Sequence, residues 1–155
     1  MNLARFLKEE RIDLYLDDQF DDENPATITS LAEHMATLLE RSEAVVNPTK
    51  LRNDLVNREK RAPSLMGQGV ALPHVRTLQA RRLVMAVGVS RDGLELPTPD
   101  EQDVHLVVAL AGPTYDDKTY LQVYKRLADR LTTEGCLEQI LAAEHTGEIV
   151  RALSG

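Results

Sequence analysis

A histidine and an arginine follow two glycines and a proline within one short segment, Gly67-Gln68-Gly69-Val70-Ala71-Leu72-Pro73-His74-Val75-Arg76. Pro73 fixes its own φ and favours an extended conformation at Leu72, so we expect His74 at the end of a stiff, strand-like segment. The two glycines allow backbone N–H groups to come close to an anion. A neutral imidazole is a competent nucleophile near neutral pH. The local pattern is typical of a reactive histidine, but equally of an ordinary histidine that ends a strand after a glycine turn.

Residues that could bind a metal are not clustered along the chain. The four histidines stand at positions 34, 74, 105 and 145 without a short shared spacing, and Cys136 is the one cysteine. A zinc site needs closely spaced His and Cys ligands. The chain also lacks a Gly-x-x-x-x-Gly-Lys-Ser/Thr loop for a nucleotide, and nothing indicates that His74 acts as a base for Ser64. We therefore predict no metal and no cofactor.

Length and composition predict a single soluble domain over residues 1–155. The chain has 155 residues, of which 43% are hydrophobic and 28% are charged, and both values are ordinary for a globular domain. No apolar run approaches the roughly 20 residues of a membrane span, and the first ten residues lack the apolar core of a signal peptide. A single cysteine suits a reducing compartment. We therefore expect a cytoplasmic protein without membrane insertion.

Charge is distributed unevenly along the chain. The net charge of −7 argues against a general nucleic-acid binder, because binding to a phosphate backbone needs clustered cations. Most of the negative charge lies between Lys8 and Glu23. Cations instead gather in sequence around His74, at Lys50, Arg52, Arg58, Lys60, Arg61, Arg76, Arg81 and Arg82. This distribution suits a site that handles phosphate, although many of these arginines individually would also suit a solvated basic face.

Three features together resemble one known family: the pair Arg58-Glu59, a short loop ending in Pro63-Ser64, and the segment Val70-Ala71-Leu72-Pro73-His74. They are similar to the enzyme IIA domains of the bacterial phosphoenolpyruvate-dependent sugar phosphotransferase system. The match is to the fructose/mannitol class, which includes the nitrogen-regulatory IIA proteins. The likeness extends from the opening residues 2–7 to the last helix.

The resemblance implies a function for the histidine. His74 would accept a phosphoryl group from the histidine phosphocarrier protein, Arg58 would bind the phosphate, and Ser64 and Tyr120 would support it. No metal is needed, because the energy of one N–P bond is kept in the next, and catalysis rests on positioning, cations and N–H donors. A stand-alone regulatory IIA of the nitrogen-regulatory type is favoured over a sugar-uptake subunit that passes the group to a IIB partner. The alternative is a regulatory protein-binding module that keeps the IIA fold but no longer transfers phosphate.

Two positions depart from the family pattern. Many members carry a second histidine where this chain has Tyr120, which can donate a hydrogen bond but is not a cation at pH 7. The family's Ser-Thr-Gly-Ile-Gly loop is matched by residues 63–67, with Leu65 in place of a glycine. The resemblance implies that docking uses apolar surface near the histidine, for which Leu65, Met66 and Val75 are candidates. These changes bear on turnover and on the choice of partner.

Periodicity and capping signals predict the elements. Helices are expected at 2–8, 29–41, from Pro48 to about 59, at 118–132, at 137–143 and after Thr146; strands are expected at 12–16, 83–89 and 104–111, and exposed loops at 17–25 and 91–103. The stripe Leu121, Tyr124, Leu127, Ala128 and Leu131 is expected to face the core. Together with the resemblance, these elements predict an α/β domain with a mixed sheet of about five strands and helices on both faces.

Overall fold

A computed structural model describes residues 1–154, which form six strands and five α-helices. In chain order these are β1 (Ile12–Asp13), α1 (Ile28–Leu39), α2 (Pro48–Arg61), β2 (Leu65–Gly67), β3 (Val70–Ala71), β4 (His74–Arg76), β5 (Val84–Leu94), β6 (Val104–Gly112), α3 (Asp117–Leu131), α4 (Cys136–Leu141) and α5 (Thr146–Ser154). Short 3₁₀ helices flank β1, at Glu9–Arg11 and Leu16–Gln19. The predicted opening helix over 2–8 is itself a 3₁₀ helix of about one turn, Leu3–Phe6. None of the helices in this part of the chain is both long enough and apolar enough to span a bilayer.

The strands form one mixed sheet in the order β1-β5-β6-β3-β2. Strand β4 also pairs with β6, further along that strand than β3 does. Strands β5 and β6 are antiparallel, whereas β1 runs parallel to β5, and both β3 and β4 run parallel to β6. The predicted mixed α/β fold is confirmed. The sheet has six strands because Leu72 and Pro73 separate β3 from β4, and proline has no N–H to donate to a ladder.

Both faces of the sheet are buried, which explains why the two central strands are apolar throughout. Along β6, Val107 and Ala109 pack in the cluster that contains α1 and α2. The alternating residues Leu106 and Val108 pack in a second cluster with α3, α4 and α5. Since side chains alternate between faces of a strand, one strand serves both cores. The helices therefore cover both faces, as predicted.

The two helices on one face begin with the expected caps. The Thr27 hydroxyl accepts from the Ser30 N–H while the Ser30 hydroxyl accepts from the Thr27 N–H, forming a capping box at α1. Asn47 accepts from the Lys50 N–H and Pro48 occupies the first turn of α2. This predicted start of α2 is confirmed. The helix then runs 14 residues and brings Arg58 and Glu59 to its last turn.

The predicted buried stripe of α3 is wrong at its first position. Leu121 is 59% exposed, whereas the neighbouring Tyr120 is 5% exposed and Val123 and Leu127 are fully buried. Leu127 is buried as expected, and Tyr124 and Leu131 pack partly buried on the core, so the buried face is turned from the expected one by less than the 100° that separates successive residues. The rotation has a consequence for the site described below, because it brings Tyr120 against the sheet.

The expected loop over 91–103 begins later, because β5 continues to Leu94. The carboxylate of Asp17 accepts from the backbone N–H groups of Arg91 and Asp92, at 3.0 and 3.1 Å, and from the Ser90 hydroxyl. These bonds hold an irregular part of the strand, where the register with β6 shifts between Val89 and Leu94. Asp17 is therefore a structural residue, not part of a freely solvated acidic loop.

The predicted N-terminal strand is shorter than expected. It ends at Asp13, whose carboxylate accepts from the Tyr15 N–H at 2.8 Å and so turns the chain. A 3₁₀ helix follows from Leu16. Leu16 then packs on Gly88 of β5, where an added Cβ would lie 2.7 Å from the leucine. The close packing accounts for a glycine in a buried central strand.

Candidate functional site

His74 is the first residue of β4 and lies opposite Leu110 of β6. Its side chain is half-buried. The Nδ1 atom lies 2.6 Å from the backbone oxygen of Leu72 and 3.1 Å from Oγ of Ser64. Pro73 between them restricts the backbone, so the imidazole is held over its own chain. His74 therefore begins a short strand and does not end one, because β3 stops at Ala71 and Leu72-Pro73 separates the two strands.

The contacts of the His74 ring determine which nitrogen carries the proton. The Leu72 carbonyl can only accept, so Nδ1 must donate to it. On the other edge, NH2 of Arg58 lies 3.4 Å from Nε2, and a guanidinium can only donate. A neutral ring therefore carries its proton on Nδ1 and presents the Nε2 lone pair towards Arg58.

Arg58 reaches the ring from the last turn of α2. Its NH1 group donates to the Ala62 carbonyl at 2.7 Å, which anchors the guanidinium at the helix C-terminus. NH1 also lies 3.8 Å from a carboxylate oxygen of Glu59. The Arg58 side chain is 32% exposed, so it remains open to solvent on one side. The sequence-predicted pair of His74 and Arg58 is therefore brought together.

Glu59 is a buried carboxylate beneath this edge of the site, with 4% of the residue exposed. It accepts from the backbone N–H and the hydroxyl of Ser64, both at 2.9 Å, and more weakly from the His74 N–H at 3.4 Å. The Ser64 hydroxyl thus donates to Glu59 and accepts from Nδ1 of His74. Ser64 lies on the Nδ1 edge, so its geometry suits holding the ring and not binding a group on Nε2.

Two tyrosines of α3 cover the remaining side of the ring. The ring centroid of Tyr124 lies 5.4 Å from that of His74, and the centroid of Tyr120 lies 6.1 Å away. The Tyr120 ring rests against Gly112 of β6, where an added Cβ would come within 3.1 Å of it. Its hydroxyl is buried and has no hydrogen-bond partner among residues 1–154. Burial raises the pKa of this phenol, with Arg76 and Arg58 acting in the opposite direction, so it is a neutral donor at pH 7.

An open cavity of about 460 Å³ lies on the Nε2 side of His74. Three arginines line it with the histidine and the two tyrosines, at positions 58, 61 and 76. Leu121, which is 59% exposed, also lines it. The cavity is therefore a cationic depression with an apolar rim, open to a partner or a phosphate group.

The glycine turn does not form an anion cradle at the histidine. Gly67, Gln68 and Gly69 all have positive φ, of 81°, 54° and 82°, and they form the tight turn between β2 and β3. The Gln68 N–H donates to the Asp100 carboxylate at 2.7 Å, and the nearest atoms to an added Cβ at Gly67 belong to the same carboxylate. The expectation of bare N–H groups near a bound anion is therefore wrong here.

Comparison with known proteins gives the family. The model of the phosphoenolpyruvate-dependent sugar phosphotransferase system, EIIA 2, matches residues 14–155. The chain belongs to this family. A fructose-specific EIIABC component from Bacillus subtilis is 28% identical over 121 residues, which are 78% of this chain and 19% of that protein. The EIIA 2 chain thus spans about a fifth of the length of that relative.

Solved structures support the fold of this EIIA 2 domain. The nitrogen regulatory protein IIA-Ntr from Neisseria meningitidis has a TM-score of 0.84 at 24% identity, over 97% of this chain and 98% of that chain. The enzyme IIA mannitol in a complex with phosphorylated enzyme IIB mannitol from Escherichia coli has a TM-score of 0.75 at 20% identity, over 96% and 97%. At these identities the likeness shows a shared fold.

Two residues at the His74 site of this EIIA 2 domain, Glu59 and Tyr124, are not singled out by the sequence. The sequence marks Glu59 only as the neighbour of Arg58, whereas the structure buries its carboxylate against Ser64 at the end of the short loop. Tyr124 was expected simply to face the core. Among the candidate docking residues, Met66 is 47% exposed and its Sδ accepts from the Tyr124 hydroxyl at 3.8 Å, whereas Val75 is 7% exposed. Val75 is therefore mainly packed in the core, although it also borders the cavity at His74.

Proposed function

We propose that this EIIA 2 domain accepts a phosphoryl group on Nε2 of His74 from the histidine phosphocarrier protein. The observation that carries the proposal is the arrangement around one ring. Nδ1 is held by the Leu72 carbonyl, and the Nε2 lone pair faces Arg58 and the cationic cavity. An oriented lone pair beside fixed donors is the arrangement that phosphoryl transfer needs.

The transfer step exchanges one N–P bond for another. The Nε2 lone pair of His74 forms a bond to phosphorus while the N–P bond of the donor breaks, and the electron pair stays on the donor nitrogen. Nδ1 keeps its proton and continues to donate it to the Leu72 carbonyl. Positive charge that develops on the ring is stabilised by Glu59, acting through the Ser64 hydroxyl. No metal is required for this balance, and among residues 1–154 no cluster of His, Cys, Asp and Glu could hold one.

The proposed roles follow from position. Arg58 binds the transferred group, because its guanidinium lies beside Nε2. Tyr120 donates its unpaired hydroxyl to a phosphate oxygen, and the phosphate would then satisfy a buried donor. Ser64 supports the ring from the Nδ1 side. His74 is the residue that carries the phosphoryl group.

We propose that the next step takes one of two forms. The domain passes its phosphoryl group to a sugar-transport IIB partner, or it acts as a regulatory IIA of the nitrogen-regulatory type. The resemblance of the fold to an enzyme IIA in complex with an enzyme IIB supports the first form, and the likeness to IIA-Ntr supports the second. The cytoplasm is the proposed setting, in keeping with a single, buried cysteine. We propose that the domain also includes residues 1–13, which precede the family match, because Leu3 and Leu7 pack in the second core.

The direct test is labelling with radioactive phosphoenolpyruvate. The purified chain is incubated with the energy-coupling enzyme and the phosphocarrier, and the wild type is compared with His74→Ala and with His145→Ala. His145 lies at the exposed start of α5 and is the matched control. We expect acid-labile label on the wild type and on His145→Ala, and none on His74→Ala.

A second candidate is a regulatory binding module that keeps the fold and no longer transfers phosphate. One observation favours it: the group at position 120 is a neutral phenol, where many members of the family carry a second histidine. The same labelling experiment separates the two functions. Absence of label on a folded wild type, with a working control IIA protein in the same mixture, would overturn transfer and favour the module.

A further inference from the structure

The pair of Arg58 and Glu59 next to His74 does not by itself balance the charge of an added phosphoryl group. The Arg58 guanidinium already lies 3.8 Å from the Glu59 carboxylate, so this pair is close to neutral as a unit. A phosphoryl group adds about −1.5 to −2 charge at pH 7. Placed in a half-buried site, this charge requires a second cation, since unpaired charge is costly away from water.

Arg76 is placed to be that cation. It lies two residues after His74 on β4, and side chains two apart point to the same face of a strand. The register agrees, because His74 lies opposite Leu110 and Arg76 opposite Gly112, two residues apart on β6. Both side chains line the same cavity.

The guanidinium of Arg76 is held in the unphosphorylated protein by two contacts. It stacks over the Tyr120 ring, with its carbon 4.8 Å from the ring centroid. Its NH1 group donates to the Asp117 carboxylate at 2.5 Å. The Tyr120 ring is in turn fixed against Gly112. The cation is therefore kept at the edge of the cavity but is already paired with a carboxylate.

We propose that Arg76 is a second phosphate-binding residue, and that the phosphoryl group on His74 displaces Asp117 from it. The proposal rests on the proposed function of His74. Arg76 would turn on the Tyr120 ring from the carboxylate towards the phosphate. Phosphorylation would thereby free Asp117 at the start of α3, one turn from the exposed Leu121, and change the surface offered to a partner.

The exchange of partners is favourable in its direction. The Asp117 side chain is 62% exposed, so its ion pair with Arg76 is weak and its carboxylate is easily hydrated. Asp117 also lies in the first turn of α3, where the helix dipole stabilises a negative charge without Arg76. A phosphate carries more charge and accepts two parallel bonds from a guanidinium.

The test measures the equilibrium of phosphoryl exchange with the phosphocarrier, which does not depend on how fast the two proteins dock. We expect Arg76→Gln to lower the phosphorylated fraction, with an equilibrium constant about tenfold smaller, and Arg76→Lys to recover part of it. We expect Asp117→Asn to raise the constant about two- to fivefold, because no ion pair then competes. Arg82→Gln is the matched control, since Arg82 also pairs with an exposed carboxylate, that of Glu43, and does not line this cavity.

The double variant Arg76→Gln/Asp117→Asn decides between competition and a structural role. If Asp117 and the phosphoryl group compete for Arg76, Asp117→Asn raises the equilibrium constant only when Arg76 is present. The gain should then vanish in the double variant. A decrease in Asp117→Asn comparable to that in Arg76→Gln would overturn the proposal, because it would mean that the pair acts only as a clamp. If Arg76→Gln fails to fold, as seen by urea unfolding, the sign of the Asp117→Asn effect decides.

Failure of this inference is distinct from failure of the proposed function. If the wild type takes no label at all, the function of His74 is wrong. If the wild type is labelled and Arg76→Gln exchanges phosphate with the same equilibrium constant as Arg82→Gln, His74 transfers phosphate without Arg76.

Discussion

The two edges of the His74 ring have very different surroundings. On the Nδ1 edge the Leu72 carbonyl, the Ser64 hydroxyl and the Glu59 carboxylate form a continuous set of short bonds, and Ser64 and Glu59 are buried. On the Nε2 edge the nearest donor, on Arg58, lies 3.4 Å away, next to an open cavity. Nδ1 therefore has close hydrogen-bond partners, whereas Nε2 has only one distant donor. The difference suggests that one edge holds the ring while the other receives a group, and it predicts different outcomes for mutations on the two edges.

Removal of Glu59 should have the largest effect. Glu59→Ala leaves the N–H and hydroxyl donors of Ser64 buried without an acceptor, and removes the negative charge nearest Arg58. We expect the free energy of unfolding to fall by about 2–4 kcal/mol and phosphorylation of His74 to be lost. Urea unfolding and labelling measure the two effects. Glu59→Gln, which keeps one acceptor oxygen, should recover part of the stability; equal losses in both variants would contradict the assigned bonds.

Ser64→Ala should have the next largest effect, on the same edge. The variant loses the hydroxyl that joins Glu59 to Nδ1 but keeps the backbone N–H bond at 2.9 Å to that carboxylate. We expect a loss of about 1–2 kcal/mol in the free energy of unfolding and a slower rate of labelling, with the final extent of labelling less affected. An unchanged rate would mean that the Leu72 carbonyl alone orients the ring. Thr in place of Ala should restore the rate, since it keeps a hydroxyl.

Tyr120→Phe, on the open Nε2 edge, should raise stability, whereas the variants of Glu59 and Ser64 lower it. The variant removes a buried hydroxyl that has no partner, so the free energy of unfolding should rise by about 1 kcal/mol. The phosphorylated form should become less favourable, by about three- to fivefold in its equilibrium constant with the phosphocarrier, through loss of one hydrogen bond. A less stable Tyr120→Phe would show that the hydroxyl is already paired, and would weaken the contrast between the two edges.

His34 supplies a reference histidine outside the site, and the smallest expected effect. Its Nε2 atom lies 2.9 Å from the Asp13 carboxylate, so this nitrogen is already paired with an anion, unlike Nε2 of His74. Burial acts to raise the pKa of the Asp13 carboxyl, but the bonds from His34 and the Tyr15 N–H, with the charges of His34 and Arg41, hold that pKa below its usual range. A lowered pKa adds stability above the unfolded-state value, near 3.9, which is lost as the pH falls through the folded-state value.

Acid unfolding of the wild type and Asp13→Asn checks this sign. We expect the variant to be less stable by about 1 kcal/mol or less above pH 5, and the difference to shrink progressively below about pH 4. Labelling of His74 should not change in the variant. A difference that grows as the pH falls would show that the pKa of Asp13 is raised, contrary to these contacts.

Much of the site was predictable where the signals are local. The caps of α2 and the position of Arg58 near its end follow from Asn47-Pro48 and the helical period, and the extended segment before His74 follows from Pro73. The proximity of Arg58 to His74 was reached through the family resemblance, and the structure brings them together. The hydrogen bond from the Gln68 N–H in the glycine turn to the Asp100 carboxylate could not be predicted, because the two residues are 32 positions apart in sequence. The buried face of α3 was wrong at Leu121, because the pattern of Tyr120, Leu121 and Tyr124 allows two overlapping stripes and the packing selects the one that contains Tyr120.

The sequence by itself determined the fold class, the apolar strands buried on both faces, and the histidine, arginine and proline that the site is built from. These depend on local propensity, alternation and motif spacing, which neighbouring residues express without the rest of the chain. Only the tertiary structure decided which nitrogen of His74 is open, that Glu59 is buried beneath it, and that Arg76 meets Asp117 across 41 residues. Such contacts depend on how the sheet and the helices pack together, and packing sums over many distant side chains that no single stretch of sequence contains.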